Sequence, residues 1–356
     1  MKWLQWLGLP VGIAVLIALA IHDGAHDIVH AVGVAGPALL WLVPFHALPL
    51  LLDAHAWRLL LGKRLPLGFL WWIATVREAV SRLLPVMGVG GEVVGIRLAR
   101  WRMRDGSFVA ASVIVEVLVT IAVQYAFSAL GLVLIVAATG NGGSLHTLTT
   151  IGLALVLTMP FPAIAVLMLR RGGVFHKIER WAARMFGAGH PLVIGIDGQQ
   201  LDRDLDALMS RTGLMFRTFS WQLAGYMLGA FETWWALRLL GFPVSVEGAL
   251  AIEALTQAVR HAAFMVPAGL GIQEAAVVLL AQLFGVGPDV AFSLALVKRM
   301  REVVFGCLAL LSWQGAEIMR TRGHLRRGQA FAQAEDGAAH DTARGTARSR
   351  QHEEVR

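Results

Sequence analysis

The chain has 356 residues, 56% of them hydrophobic and only 15% charged, with mean hydropathy +0.63. Soluble domains carry about a quarter charged residues, so these values exclude an ordinary soluble enzyme and indicate an all-α polytopic membrane protein. The formal charge of +7 does not mark a nucleic-acid surface, because the Lys and Arg residues cluster beside apolar runs and read as topology signals.

In chain order, Lys2 precedes an apolar run at residues 3–21. It is read as a retained first helix, although Ala18-Leu19-Ala20 matches a signal-peptidase site. The loop at 22–30 has no Lys or Arg. Residues 33–52 form a second span broken by Pro37, Pro44 and Pro49. Residues 53–64 carry Arg58, Lys63 and Arg64 and are expected in the cytoplasm.

Residues 67–99 hold the most unusual stretch. Arg77, Glu78, Arg82 and Glu92 lie between apolar runs, and Pro85, Gly88, Gly90 and Gly91 interrupt any helix. Broken backbone at membrane depth must be buried in protein or line a wet cavity. Arg97, Arg100, Arg102 and Arg104 follow, so the segment starts and ends in the cytoplasm and reads as a re-entrant hairpin.

Residues 108–138 form a span longer than the ~20 residues a bilayer needs, with Glu116 near its cytoplasmic end. A periplasmic loop at 139–147 and a returning span at 148–169 lead to the basic cytoplasmic loop 170–217. Within that loop, 179–186 and 200–211 read as amphipathic surface helices. Residues 218–240 cross outward, carrying Glu232 and Arg238. Residues 248–284 form a second hairpin, and 289–313 the last span, which the Arg residues from Arg320 onward place in the cytoplasm. The count is six transmembrane helices plus two hairpins. The membrane domain covers 1–318, both termini are cytoplasmic, and 319–356 has the polar composition of a disordered tail.

The hairpins echo each other. Pro85 to Glu92 reads PVMGVGGE, and Pro267 to Glu274 reads PAGLGIQE. Loop charge makes them enter from opposite faces, an inverted repeat of the kind that builds transporter substrate sites. Glu92 and Glu274 admit two readings: acids that take a proton or a headgroup, or caps for N–H groups freed by the turn. The acid in both hairpins favours function. The cations Arg77, Arg82, Arg260, Lys298, Arg299 and Arg301 also admit two readings. They line a pocket for a lipid phosphate or other polar headgroup, or they pair with Glu78, Glu92, Glu253, Glu274 and Glu302. His22, His26 and His30 share a four-residue spacing that suits a divalent metal, but Gly24 weakens the helix, and a solvated loop is the preferred reading. His261 reads as a satisfied interior histidine, and Gly91-x3-Gly95 as a close helix contact. Trp3, Trp6, Trp71, Trp72, Trp234, Trp235 and Trp313 read as interface anchors. Cys307 is the only cysteine and pairs with nothing in its own chain. No nucleotide loop, nucleophile elbow or HExxH occurs, so neither a catalytic residue nor a cofactor is expected.

Three strings carry a family resemblance: LLPVMGVGGEVVGIRL, VPAGLGIQEAAVVLLAQLFGV and LALVKRMREVVFGCLALLSWQ. They resemble the flippase-like transmembrane domain of the lysylphosphatidylglycerol synthase superfamily, and within it the hopanoid-biosynthesis-associated branch, over roughly residues 41–313. The resemblance implies a bacterial inner-membrane protein that moves lipid between leaflets. It also marks Arg82, Pro85, Gly91, Glu92, Pro267, Gly269, Gly271, Glu274 and Arg299 as functional or structural positions. In the synthases a separate soluble domain attaches the amino acid; this sequence shows none, so aminoacylation is not expected. The favoured expectation is a translocator or exporter of hopanoid or related polar lipids, anionic ones included. Two rivals stay open: a membrane-embedded enzyme that modifies a lipid headgroup, and a scaffold that recruits lipid-synthesis enzymes.

Overall fold

A computed structural model describes residues 36–84, 90–139, 197–262, 272–353 and some positions between 152 and 177. Every regular element among them is a helix. The chain divides into two compact units, Met1–Ala309 and Leu310–Arg356.

In the first unit a 3-10 turn, Pro37–Trp41, leads into α1, Leu42–Leu60. Then come α2 (Leu67–Leu83), α3 (Gly90–Ala99), α4 (Gly106–Thr139), α5 (Gly198–Met209) and α6 (Thr212–Leu239). Next are α7 (Val246–Ala262), α8 (Ile272–Gln282) and α9 (Pro288–Glu353), the last reaching into the second unit. Two stretches, Pro37–Leu60 and Gly106–Ala137, are each long and apolar enough to cross a bilayer.

Local chemistry sets the helix ends. Gly62 and Lys63 adopt positive φ, and the Lys63 N–H returns to the Arg58 carbonyl at 2.9 Å, which closes α1. Leu84 is extended (φ −105°, ψ 141°) and ends α2, as a residue before proline must. Asp197 caps α5 by accepting from the Gln200 N–H at 2.8 Å.

Loop charge places the end of the second span at Asp53, yet α1 runs on to Leu60 as helix. The reason is that Asp53 does not leave the protein: it faces a polar cavity. Likewise α6 begins at Thr212, inside the stretch expected as cytoplasmic loop. The amphipathic helix expected at 200–211 forms at Gly198–Met209, with Leu201, Leu205, Leu208 and Met209 buried, and it packs on α4.

Helix α1 packs on α2 and α6, α2 on α3, and α7 on α4, α6 and α8. The main apolar cluster joins Leu42 of α1, Leu237 of α6, Ile252 and Leu255 of α7, Val277 and Leu280 of α8, and Leu294 of α9. The α2–α3 contact is unusually close. A Cβ on Gly95 would stand 2.6 Å from Arg77 Cδ, so only a residue without a side chain fits. Gly91 is buried in the same contact, which is the close approach its spacing from Gly95 predicts.

In the second unit α9 continues as helix to Glu353, through the tail whose polarity favours disorder. Its Ala, Arg, Gln and Glu are strong helix formers. The hairpin turns (Pro85 and Gly88; Pro267, Gly269 and Gly271), the first span and His22, His26 and His30 lie outside the described residues.

Candidate functional site

Charged side chains from α2, α3, α4, α6, α7, α8 and α9 converge inside a largely apolar bundle. Arg77 of α2 is buried; its Nη1 donates to both Glu116 oxygens on α4, at 3.0 and 2.9 Å. Its Nη2 donates to Glu92 of α3, and its guanidinium lies 5.1 Å from the Trp57 ring centroid on α1. One side chain thereby ties four helices.

Arg82, one turn and a half further along α2, donates to Glu302 of α9 at 3.0 Å and pairs with Glu78 at 3.5 Å. Glu302 also accepts from Arg299 Nη1 at 3.2 Å and from Gln273 of α8 at 3.1 Å. Arg299 Nε reaches back to Glu274 of α8 at 2.9 Å. Lys298 donates to Glu253 of α7 and, at 3.1 Å, to Thr233 of α6. Thr233 and Gln257 donate to the same Glu253 at 2.6 and 2.8 Å. Arg301 pairs with Glu232 of α6 at 3.0 Å.

Isolated buried charges cost several kcal/mol each, and charge pairs are tolerated when hydrogen bonds complete them. Each of Arg77, Arg82, Lys298, Arg299 and Arg301 faces at least one carboxylate, so the pairing reading of these cations holds. It does not empty the interior. A cavity of about 290 Å³ remains, walled by His46, Asp53, Arg77, Glu78, Arg82, Glu92, Glu232, Glu253, Arg260, Lys298 and Arg301. Pro49, Leu50, Ala74 and Phe127 add apolar wall. Its size is near the lower end of the range for small-ligand sites, about 300 Å³.

The match to known families decides what kind of protein carries this cavity. Residues 5–309 match the model of the lysylphosphatidylglycerol synthase TM region. The chain belongs to that family. It is therefore a membrane protein of a lipid-related family. No curated protein and no solved structure matches it.

Against this TM-region frame, the residues singled out from sequence sort into three groups. Arg77, Glu78, Arg82, Glu92, Arg260 and Lys298 line the cavity. Glu274, Arg299 and Glu302 stand behind it, joined to its wall through Arg82 and Arg301. Gly91 sits in the α2–α3 contact, and Pro85, Pro267, Gly269 and Gly271 lie outside the described residues. Arg260 differs from the other cavity cations: among the described residues it makes no ion pair. Among the described residues no group of three or more His, Cys, Asp or Glu side chains is placed to hold a metal ion.

Sequence reasoning missed His46 and Asp53 as wall residues. His46 lies on the α1 side of the cavity, with Nε2 2.9 Å from Glu78 Oε2 and Nδ1 3.0 Å from Glu232 Oε2. Asp53 accepts from Gln222 of α6 at 3.3 Å. A signal was present in both cases: each is an ionisable residue in or beside an apolar run, which marks a functional position by default.

Proposed function

We propose that this TM-region protein moves polar lipids between the leaflets of a bacterial inner membrane, with hopanoid-type or related lipids, anionic ones included, as its substrate class. The observation that carries the reading is the polar cavity inside an apolar bundle. A headgroup needs charged and hydrogen-bonding partners once it leaves water, and the cavity wall supplies both signs. Among the described residues Arg260 is the wall cation without a carboxylate partner, which leaves it to meet an anionic group. The acyl or polycyclic tail stays in the bilayer, so the cavity need hold only the headgroup. Family membership supports a lipid-handling role, and the motif resemblance supports the hopanoid branch. In this reading α2–α3 and α7–α8 are the two hairpins, entering from opposite faces, within six crossings and with both termini in the cytoplasm.

The test is a leaflet assay on the reconstituted full chain. Vesicles of phosphatidylcholine and phosphatidylglycerol carry a trace of fluorescent phosphatidylglycerol, and a membrane-impermeant reductant bleaches outer-leaflet label. Protein-free vesicles lose only that label. Vesicles with the protein should lose inner-leaflet label as well, and Arg260→Gln should slow that loss severalfold. Identical bleaching in protein-free and protein-containing vesicles, repeated with a tagged hopanoid, would rule the reading out.

A further inference from the structure

Helix α6 turns one face to the cavity. Gln222, Gly225, Tyr226, Gly229, Glu232 and Thr233 all line it, and they recur every three or four residues, the repeat that keeps positions on one side of a helix. Two of the six are glycines, and they differ in what they meet. A Cβ on Gly225 would stand 3.3 Å from the Pro49 carbonyl oxygen and 3.6 Å from Leu52 Cβ, both on α1. The contact between α1 and α6 accounts for that glycine. A Cβ on Gly229, one turn later, would meet nothing within 4 Å. Gly229 is not among the residues of positive φ, so its backbone conformation does not call for glycine either.

Glycine weakens a helix interior relative to alanine. Its usual use in a membrane helix is to let a second helix come close. Gly229 has no such neighbour, and it reaches the cavity by its backbone alone. What the missing side chain leaves there is room. Polar side chains flank that room along the same face, with Gln222 and Tyr226 before it and Glu232 and Thr233 after it.

We propose that Gly229 sets the largest headgroup the cavity accepts: the open space over its backbone seats the bulk of the headgroup, and the flanking polar side chains meet its ends. The proposal rests on the translocation reading above and adds to it the wall position that selects by size. A methyl group at 229 takes up this room without striking a neighbour, so side chains of increasing size there should exclude headgroups of decreasing size.

Three measurements on the full chain test this. The first is thermal unfolding in detergent. Gly229→Ala should melt at or above the wild-type midpoint, because alanine favours the helix. A lower midpoint would assign Gly229 to packing and overturn the proposal.

The second places a thiol at the site, as Gly229→Cys in a Cys307→Ser background, reconstituted in the vesicles of the leaflet assay. A charged methanethiosulfonate reacts with a thiolate in water, and a reagent smaller than a headgroup reaches wherever a headgroup passes. It should modify Gly229→Cys and spare Phe231→Cys, whose position is 43% exposed on α6 but does not line the cavity. Adducts of increasing size should slow the bleaching of inner-leaflet label step by step. An unreactive Gly229→Cys, or a rate that no adduct changes, would overturn the proposal.

The third varies the lipid. Acyl-labelled phosphatidylglycerol and phosphatidylmethanol carry the same single charge and differ in headgroup bulk. Gly229→Leu should slow phosphatidylglycerol severalfold more than phosphatidylmethanol, with Gly229→Ala between it and the wild type. Equal slowing of both lipids, or a wild type that moves phosphatidylglycerol and not the smaller lipid, would overturn size selection while leaving translocation standing. Where the wild type moves the tagged hopanoid alone, the adduct series read on that lipid decides. A wild type that moves no lipid defeats the translocation reading and the size selection together.

Discussion

Arg77 occupies the space that a side chain on Gly95 would need: a Cβ there would approach its Cδ to 2.6 Å. The glycine lets α3 lie against α2 closely enough for Glu92 to reach the Arg77 guanidinium. Gly95→Ala should therefore cost about 1–3 kcal/mol, the usual penalty for overpacking a tight contact. Gly68, exposed and with nothing within 4 Å of its missing Cβ, is the matched control. Gly68→Ala should stay within about 0.5 kcal/mol. Unfolding midpoints in detergent compare the two, and equal midpoints would show that the close approach carries no energetic weight.

The two acids on Arg77 should differ in what their loss costs. The Glu116 side chain is 2% exposed and that of Glu92 is 27%. Breaking a fully buried pair costs about 3–5 kcal/mol, because one charge is left unmet. Glu116→Gln should approach that range, and Glu92→Gln should cost visibly less. Thermal unfolding of both single variants ranks them; a larger loss for Glu92→Gln would contradict the burial argument.

Lys298 and Glu253 call for a double-mutant cycle. The pair joins α9 to α7, and Thr233 brings α6 into it. Lys298→Met leaves Glu253 ionised and short of its cation, so it should destabilise strongly. Lys298→Met with Glu253→Gln removes the stranded charge and should recover part of the loss. The coupling energy is expected at about 1–3 kcal/mol, and additive single effects would show that the two side chains act independently.

Side-specific labelling checks the topology in the proposed function. In a Cys307→Ser background, Lys63→Cys and Ser245→Cys place thiols at two exposed positions. Loop charge assigns Lys63 to the cytoplasm and Ser245 to the periplasm. An impermeant maleimide added to intact spheroplasts should modify the second thiol and spare the first until the membrane is opened. Modification of both from the same side would dismantle the opposed-hairpin arrangement.

Much of the site could be read along the chain. Ionisable side chains are rare where apolar residues are the rule, so Arg77, Glu78, Arg82, Glu92 and Lys298 stood out by type and context alone. The glycine pair at 91 and 95 predicted a close helix contact for a similarly local reason: only the missing side chains matter. Asp53 was misplaced because charge beside an apolar run signals a loop equally well when the helix simply continues.

Composition and the order of apolar runs thus determined that this chain is helical, lives in a membrane and carries ions in its interior, since those features depend on each residue's own hydration. Which ion meets which was left to the fold. His46, Glu78, Glu232 and Arg301 come from α1, α2, α6 and α9 and are brought together only by packing. Any carboxylate satisfies any guanidinium equally well on paper. Helix packing selects among them, because a partner's value falls steeply with distance once water is excluded.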